Sequence, residues 1–489
     1  MERTAGSHSL AAAAHRNVRL SATSNPEISV QIERRFLLPL MTAGAVTGKP
    51  TPKQAMRWTR EFAGLLPDHV RWTAVVSLAI LVTAPVVATA QEIQATGIAV
   101  SELRAYDRVM SMLISKWQIP GGAVAITHEG RLVFARGYGL ADRESGLPVR
   151  PDSLFRMASA SKPITAAAIL RLIEEGRLEL NARAFKLLGH LKPPAGIAVD
   201  SRIDAITIRH LLQHTAGWDR DTTFDPMLAP TSRRAAEEVG ASLPPTCETI
   251  IRWMLRRRLD FDPGTRFAYS NLGYCVLGRV IERVTGQKYE DAVRQLVLEP
   301  AGITRMRVGG TTLEERVEGE VRYYDHPSAP LATSLLPNAS GPVPRPYGGF
   351  NVKESRDASG GWIASPIDLL RFVSGVEGRG RSIFQRPDTV RLIETRPDPP
   401  IAGGGTRYYG LGWFVIPLQD GGADWWHPGG NPGSAAVVAR TRNGIALAVL
   451  FNSGPRDENG FAQELAQGFA GARREVTQWP AHDFFASYR

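Results

Sequence analysis

Cysteine is scarce in this sequence of 489 residues, which contains only Cys247 and Cys275. Two cysteines exclude a zinc site with four thiolate ligands and any disulfide framework of more than one bond. A single disulfide between them is allowed in an exported protein, although the sequence does not decide whether it forms. Cys275 lies in an apolar helical pattern, so we expect it to pack as a small hydrophobic residue.

The sequence also lacks a basic stripe with interleaved aromatic residues, the pattern typical of nucleic-acid binding. Its net charge is +10, but half of that excess comes from residues 1–90, which contain ten Lys or Arg and five Asp or Glu. The remainder is spread thinly, apart from a run at Arg256, Arg257 and Arg258, which we expect on a solvated helix face. No nucleic-acid partner is expected.

An uninterrupted apolar run long enough to span a membrane is missing as well, since the apolar segment 72–90 is short for that purpose. A basic residue precedes this segment, and an Ala-Thr-Ala sequence ends it before Gln91, as in a secretory signal. We therefore expect a signal peptide over residues 56–90, starting at Met56, and an extension or a mis-assigned gene start over residues 1–55. The mature chain would be periplasmic or extracellular. Alternatively, an uncleaved signal would tether it to the membrane.

Residues 91–489 have the composition of a globular domain. Apolar alternation predicts one β-hairpin over residues 123–135 and a second over residues 434–452. A helical period predicts a helix over residues 101–117 with Ser101 as its N-cap. Strands so far apart in the chain indicate one antiparallel sheet with helices packed against it, an α+β fold. The predicted boundaries are residues 118–150 and 408–475 for the sheet and residues 160–405 for a helical region.

The first candidate for chemistry is the S-x-x-K pattern of residues 159–162, placed where a predicted helix begins. Pro163 fits the first turn of such a helix. Residues three apart share a helix face, so the hydroxyl of Ser159 and the amine of Lys162 can meet. A serine becomes a nucleophile when a base removes its proton, and a buried lysine with a lowered pKa can help. The pattern alone recurs by chance in long proteins.

The second candidate is Tyr269-Ser270-Asn271, which opens another predicted helix. A tyrosinate beside an ammonium group can act as a general base, and the amide of Asn271 can bind a substrate carbonyl. A turn followed by a core tyrosine would explain this tripeptide equally well if it stood alone.

The third candidate is the WWHPGG sequence of residues 425–430, directly before the second hairpin. A glycine-rich strand edge allows a substrate to lie against the backbone. The amides of Ser159 and Gly430 could then form an oxyanion hole, because Pro428 has no amide hydrogen to offer. A structural turn is the alternative explanation.

Together the three patterns, in the order S-x-x-K, Y-x-N and H-x-G, resemble those of the class C β-lactamase and penicillin-recognising serine hydrolase superfamily. That superfamily includes D-alanyl-D-alanine carboxypeptidases and β-lactamase-like esterases. Residues 206–218 (ITIRHLLQHTAGW), 263–286 and 359–372 (SGGWIASPIDLLRF) are also similar to the family, and the likeness extends over about residues 100–455. It implies a β-lactamase/transpeptidase-like fold, in which the active site lies between a sheet flanked by helices and an all-helical subdomain.

The resemblance also implies roles for individual residues. Ser159 would be the acylated nucleophile, Lys162 its proton partner and Asn271 a contact for the substrate amide. Tyr269 would be the general base and the leaving-group acid, although either Lys162 or Tyr269 could be the working base because the two share protons. Water would then hydrolyse the acyl-enzyme. No cofactor or metal ion is implied.

The same resemblance bears on the substrate, since His427 and Gly429 match a third motif that is K-T-G in β-lactamases and H-x-G in several peptidase- and esterase-like members. A histidine in place of lysine removes a permanent cation that would hold the carboxylate of a β-lactam or a peptide. A carboxylesterase is therefore the leading prediction, followed by a D-stereospecific peptidase. A weak β-lactamase activity is compatible with either, and a non-catalytic scaffold is the alternative of another class. Four tryptophans could line an apolar acyl pocket or could be core residues: Trp218, Trp362, Trp425 and Trp426.

The sequence patterns of two other active-site types are incomplete or missing. His210 and His214 have the i, i+4 spacing of a zinc-binding helix, but leucine replaces the glutamate of H-E-x-x-H and no third ligand is evident. No G-x-S-x-G sequence occurs, which argues against an α/β-hydrolase.

Overall fold

The computed structural model describes residues 93–488, apart from residues 338, 340, 399–400, 402–406 and 420. The predicted extension over residues 1–55 and the predicted signal peptide over residues 56–90 lie outside the described residues. Within the described part of the chain, no helix combines the length and the apolar character needed to cross a bilayer.

The strands of the described residues are longest near residues 121–142 and 422–451, and the others have two to five residues. In chain order they are β1 Ala95–Thr96, β2 Gly121–His128, β3 Arg131–Asp142, β4 Leu147–Pro148, β5 Phe155–Arg156, β6 Arg307–Val308, β7 Ala332–Thr333, β8 Pro342–Val343, β9 Trp362–Ala364, β10 Tyr408–Tyr409, β11 Phe414–Leu418, β12 Gly422–Asn431, β13 Ser434–Arg440 and β14 Ile445–Phe451.

The α-helices occupy mainly the region between the two groups of long strands. In chain order they are α1 Arg104–Lys116, α2 Lys162–Glu174, α3 Ala184–Leu187, α4 Ile208–Leu212, α5 Thr231–Val239, α6 Cys247–Met254, α7 Asn271–Thr285, α8 Tyr289–Val293, α9 Asp357–Gly360, α10 Pro366–Glu377, α11 Pro387–Arg391 and α12 Glu458–Glu475.

The main sheet is antiparallel and has the strand order β1-β3-β2-β14-β13-β12-β11-β10, with β4 paired to β3. Its centre joins the two ends of the domain, because β14 pairs with β2 so that Ala448 lies opposite Ala125. The prediction of one antiparallel sheet built from distant segments is confirmed. Both predicted hairpins are present, as β2–β3 and as β13–β14.

The central strand β2 is buried on both faces, and its alternate side chains enter two different cores. Val124 and Ile126 point into a core shared with α1 and α12, whereas Ala123 and Ala125 point into the large core shared with the other helices. Side chains alternate across a strand, so one apolar strand joins both helical layers to the sheet. Helix α10 packs directly on β2 and β14.

The region between the long strands is mostly helical but also contains two short sheets. Strands β5, β9 and β6 form one of them, and β7 and β8 form the other. Helices α6 and α7 are joined by a disulfide between Cys247 and Cys275, whose Cα atoms are 5.9 Å apart. Cys275 is fully buried, as expected, but it is bonded rather than free.

Two local predictions are wrong. Ser101 lies inside a 3-10 turn that precedes α1, and its hydroxyl donates to Glu102 instead of capping the helix. The Arg256–Arg258 run lies beyond the end of α6, not on a helix face. The chain leaves the helix after Met254, and Leu255 and Leu259 are buried on either side of the three arginines.

Candidate active site

Ser159 lies in a 3-10 turn, Ala158–Ser161, that leads directly into α2. Pro163 occupies the first turn of α2, as predicted from the sequence. The preceding residue, Ala158, has a φ of +50°, a left-handed conformation that is unfavourable for a residue with a side chain. Strain of this kind clusters at functional sites, where the surrounding structure holds it in place.

Lys162 is fully buried, and its ammonium position has three neighbouring acceptors. Its Nζ lies 3.1 Å from the Oγ of Ser159, 2.8 Å from the Oδ1 of Asn271 and 2.7 Å from the carbonyl oxygen of Ser359. Two of these partners are carbonyl oxygens, which can only accept. A neutral amine can donate to both of them and turn its lone pair toward the hydroxyl of Ser159.

Burial is the main reason why the pKa of Lys162 lies well below the usual lysine value. The guanidiniums of Arg356 and Arg220 lower this pKa further, whereas the carboxylate of Asp225 raises it. The site therefore favours the neutral amine, which is the form that can accept a proton from Ser159.

Tyr269 also lies beside Ser159. Burial raises the pKa of its hydroxyl to about 12, while a hydrogen bond with Ser159 acts in the opposite direction. The Nζ of Lys162 lies 4.9 Å from the centre of the Tyr269 ring, and the guanidinium of Arg220 lies 4.8 Å from it. Tyr269 is consequently a neutral phenol at physiological pH and a proton donor beside Ser159.

Asn271 begins α7, and Ser270 caps that helix by accepting a hydrogen bond from the amide of Gly273. Both ends of the Asn271 amide are engaged, because its Oδ1 accepts from Lys162 and its Nδ2 donates to Asp225 over 2.6 Å. Asn271 thus links Lys162 to Asp225, in addition to lining the cavity in front of Ser159.

Strand β12 presents a free backbone amide at Gly430. The β12–β13 hairpin closes through the two-residue turn 432–433, with Asn431 opposite Ser434. Hydrogen-bonded and non-bonded pairs alternate along an antiparallel ladder, so Gly430 and Ala435 form a non-bonded pair. The amide of Gly430 therefore points away from β13.

The free edge of β12 lies against the turn that carries Ser159. Strand β11 pairs with β12 only as far as Trp426, which leaves the following residues of β12 open on that side. A β-carbon at Gly429 would lie 2.1 Å from the carbonyl oxygen of Met157, so only glycine permits this approach. The amides of Gly430 and Ser159 can then face one substrate oxygen, as the sequence suggested.

His427 lies beneath this edge rather than in the cavity. Its side chain is fully buried, its Nε2 is 2.9 Å from the hydroxyl of Tyr409, and its Nδ1 is 2.7 Å from the carbonyl oxygen of Pro428. Burial is the main reason why the pKa of His427 is lowered to about 3. The ring is therefore neutral, with Nδ1–H donating to Pro428 and Nε2 accepting from Tyr409.

The cavity in front of Ser159 has a volume of about 830 Å³. None of the four tryptophans considered for an acyl pocket lines it. Trp218 lines a neighbouring pocket together with Arg220 and Asn271, and Trp426 lines a separate pocket with Phe414. The core alternative holds for Trp362 and Trp425, because a large apolar ring gains as much from burial in the core as from a binding site.

Several residues of the site were missed in the sequence. Asp225 and Tyr409 hold Asn271 and His427, and Arg356 lines the cavity. None of them belongs to a local pattern, so only the fold brings them to the site. His214 lies in a family-like stretch, and its ring centre is 4.2 Å from that of Tyr269.

The two histidines considered for zinc make separate local contacts. His210 takes part in the N-terminal capping box of α4, and the Nδ1 of His214 accepts from the amide of Ser270. In the described residues, no group of three or more His, Cys, Asp or Glu side chains is arranged to hold a metal ion.

Known proteins are similar to this chain in sequence and in fold. Esterase EstB of Burkholderia gladioli is 31% identical over 321 residues, which cover 63% of this chain and 76% of the esterase. The octameric penicillin-binding protein homologue from Pyrococcus abyssi superposes with a TM-score of 0.57 at 25% identity, covering 78% of this chain and 80% of that one. A D-stereospecific amidohydrolase from Streptomyces sp. gives a TM-score of 0.52 at 25% identity, covering 75% and 98%.

The model of the β-lactamase family matches residues 104–471, three quarters of the chain. This range contains the turn that carries Ser159, the start of α7 with Tyr269 before it, and the β12 edge. The chain belongs to the β-lactamase family of hydrolases.

Proposed function

We propose that this protein is a serine carboxylesterase that acts through an acyl-enzyme on Ser159. The observation that carries the proposal is the 3.1 Å contact between the Oγ of Ser159 and the Nζ of a fully buried Lys162. The likeness to esterase EstB supports an ester as the substrate.

Lys162 is the group that accepts the proton of Ser159 in this proposal. Its pKa is lowered, whereas the pKa of Tyr269 is raised to about 12, so the amine is the better base at neutral pH. The Oγ of Ser159 bonds to the ester carbonyl carbon, and the amides of Ser159 and Gly430 stabilise the oxyanion.

Tyr269 supplies the proton that the leaving alcohol needs. When the tetrahedral intermediate collapses, the carbon–oxygen bond to the alcohol breaks, the alkoxide takes the phenolic proton, and Lys162 returns a proton to Tyr269. A water molecule then attacks the acyl-enzyme, and Lys162 accepts the proton of that water. The acid is released and Ser159 regains its proton, so the cycle balances.

Hydrolysis of p-nitrophenyl butyrate by the wild type and by Ser159→Ala tests this proposal. We expect turnover by the wild type and at least a thousandfold loss in the variant, which removes one oxygen and should keep the melting temperature. Comparable turnover by both proteins would exclude Ser159 as the nucleophile. A folded wild type without any turnover would exclude the esterase.

A D-stereospecific peptidase is the second candidate. The likeness to the Streptomyces D-stereospecific amidohydrolase favours it. Amide hydrolysis needs a protonated leaving nitrogen, and the neutral phenol of Tyr269 can protonate it. Release of D-alanine from D-Ala-D-Ala peptides, without hydrolysis of p-nitrophenyl butyrate, would favour this candidate over the esterase.

We also propose that the mature chain is exported. The signal-like segment within residues 56–90 supports this, and so does the disulfide between Cys247 and Cys275, because disulfides persist in oxidising compartments. Expression of the full chain in a Gram-negative host, followed by fractionation and N-terminal sequencing, tests the proposal. We expect a periplasmic product that begins at Gln91, and a cytoplasmic product with an intact N-terminus would contradict it.

A further inference from the structure

Arg356 is a buried arginine with two nitrogen atoms that make no hydrogen bond. Arg356 is only 2% exposed, and the Nε and Nη1 atoms of its guanidinium make no hydrogen bond. Among the described residues, no carboxylate forms an ion pair with it, and its one aromatic neighbour is the ring of Phe350, 4.7 Å from the guanidinium carbon. Since burying an unpaired charge is unfavourable, such a group calls for a functional explanation.

Arg356 lies close to the nucleophile and lines the same cavity. A β-carbon placed on Gly360 would lie 3.1 Å from the Nη2 of Arg356 and 3.4 Å from the carbonyl carbon of Ala158. Gly360 therefore lies between the guanidinium of Arg356 and Ala158, the residue that precedes Ser159. A second buried group on this wall, the Oδ1 of Asn431, also lacks a partner.

The other cations around Ser159 are compensated or neutral. The Nη1 of Arg220 is 3.9 Å from a carboxylate oxygen of Asp225. Lys162 serves as a neutral amine in the proposed reaction. Farther along the cavity, Arg345 pairs with Asp325 over 2.9 Å. Of Arg220, Arg345 and Arg356, which line the cavity, Arg356 is the one without an ion pair among the described residues, and the carboxylate of Asp225 acts on it only at longer range.

We propose that Arg356 binds a carboxylate carried by the substrate, so that the preferred substrate is an acidic ester. The planar fork of a guanidinium matches the two oxygens of a carboxylate, and a water-poor wall strengthens that pairing. His427 is neutral and buried, so it does not provide this charge. This inference rests on the esterase proposed above and assigns to it a class of substrate.

Two pairs of esters locate the carboxylate on the acyl or the alcohol side. The first pair is mono-p-nitrophenyl glutarate and p-nitrophenyl valerate, and the second is 3-carboxyphenyl butyrate and phenyl butyrate. In the wild type we expect the acidic ester of at least one pair to have a kcat/KM at least tenfold above that of its neutral partner. In Arg356→Met that preference should fall below threefold, whereas Arg356→Lys should keep part of it.

The variants separate a binding role from a structural one. Arg356 also lowers the pKa of Lys162, so its removal shifts the pH profile for all esters alike, and the ratio within each pair is the relevant readout. The matched control is Arg391→Met, an exposed arginine of α11, which should leave both ratios unchanged. Absence of a preference in both pairs, or its survival in Arg356→Met, would overturn the proposal.

Binding measurements keep this inference separate from the esterase itself. Calorimetry with glutarate on Ser159→Ala, which cannot turn over, should show saturable binding that glutaramide does not reproduce and that Ser159→Ala/Arg356→Met loses. If the wild type hydrolyses no ester but binds glutarate in this way, the esterase is wrong and the carboxylate site stands. If it hydrolyses neutral esters and does not bind glutarate, the carboxylate site is wrong. The glutarate result on Ser159→Ala also decides the matter if the Met variant does not fold.

Discussion

Burial shifts the pKa values of Lys162 and Tyr269 in opposite directions. Burial disfavours the charged form of each, so it lowers the pKa of the amine and raises that of the phenol. Burial therefore favours the neutral form of each group. In the proposed mechanism Lys162 is the base and Tyr269 the acid, and both interact with Ser159. Each side chain type alone would be a poor catalyst at its ordinary pKa.

Replacement of Lys162 by arginine tests this division at the level of one residue. Arginine stays protonated at any accessible pH, so we expect kcat/KM to fall by about 10²–10⁴-fold, the usual contribution of a general base. The wild-type rate should rise with pH as the amine loses its proton and reach a plateau, whereas the residual rate of the variant should lack that rise.

The matched control is Lys186→Arg, an exposed lysine of α3, which should behave as the wild type. A variant of Lys162 that keeps both the rate and the pH profile would move the base role to Tyr269.

His427 should make the folded state sensitive to acid. Its pKa is about 3 in the folded protein and about 6.5 in an unfolded chain, so between these values the unfolded state binds more protons. Stability contributed by the neutral ring is thus complete above pH 6.5 and is lost as the pH falls, by about 1.4 kcal/mol for each pH unit.

Urea unfolding between pH 7 and pH 4 measures this effect. The decline should be steeper for the wild type than for His427→Gln, which has no titratable group at this position. Parallel curves for the two proteins would show that His427 is not protonated on unfolding.

At the level of elements, the β12 edge lies against the turn before α2, and together they would form the proposed oxyanion site. A β-carbon placed on Gly430 would have no other atom within 4 Å. The backbone amide of Gly430 is not used in the hydrogen-bond ladder between β12 and β13. We therefore expect Gly430→Pro, which removes that amide hydrogen, to lower kcat by about 10²–10³-fold. Gly430→Ala keeps the hydrogen and is the matched control, with a much smaller loss. Equal losses in both variants, measured with p-nitrophenyl butyrate, would point to a steric effect.

The disulfide between α6 and α7 should stabilise the helical region on which Asn271 depends. The two cysteines are 28 residues apart in the sequence. Removal of the bond by Cys247→Ala/Cys275→Ala should therefore lower the free energy of unfolding by about 3–4 kcal/mol. Urea unfolding with and without dithiothreitol measures this. The reductant should destabilise the wild type and leave the double variant unaffected. A wild type that does not respond to the reductant under unfolding conditions would contradict the bond.

At the scale of the whole molecule, local patterns predicted the parts and tertiary contacts determined the site. The hairpins and the helix after Ser159 follow from apolar alternation, helical periodicity and the place of proline in a first turn. The sequence also predicted one antiparallel sheet built from distant segments, and the pairing of β14 with β2 joins those segments.

Long-range contacts were not predictable in the same way. Asp225 reaches Asn271 across 46 residues, and the carbonyl of Ser359 reaches Lys162 across 197. No periodicity signals such a contact. Residue type is ambiguous too, because tryptophans that could have lined a pocket are buried in the core.

The central claim is that Ser159 becomes acylated, and rapid-quench mass spectrometry with p-nitrophenyl butyrate tests it most directly. Acid quench in the first turnovers should show the intact protein with one added butyryl group, and peptide mapping should place that group on Ser159. The adduct should be absent from Ser159→Ala and should disappear as hydrolysis is completed. A butyryl group on another residue would contradict the proposed acylation of Ser159. So would hydrolysis by the wild type with no adduct at any quench time, if a fluorophosphonate also fails to label Ser159.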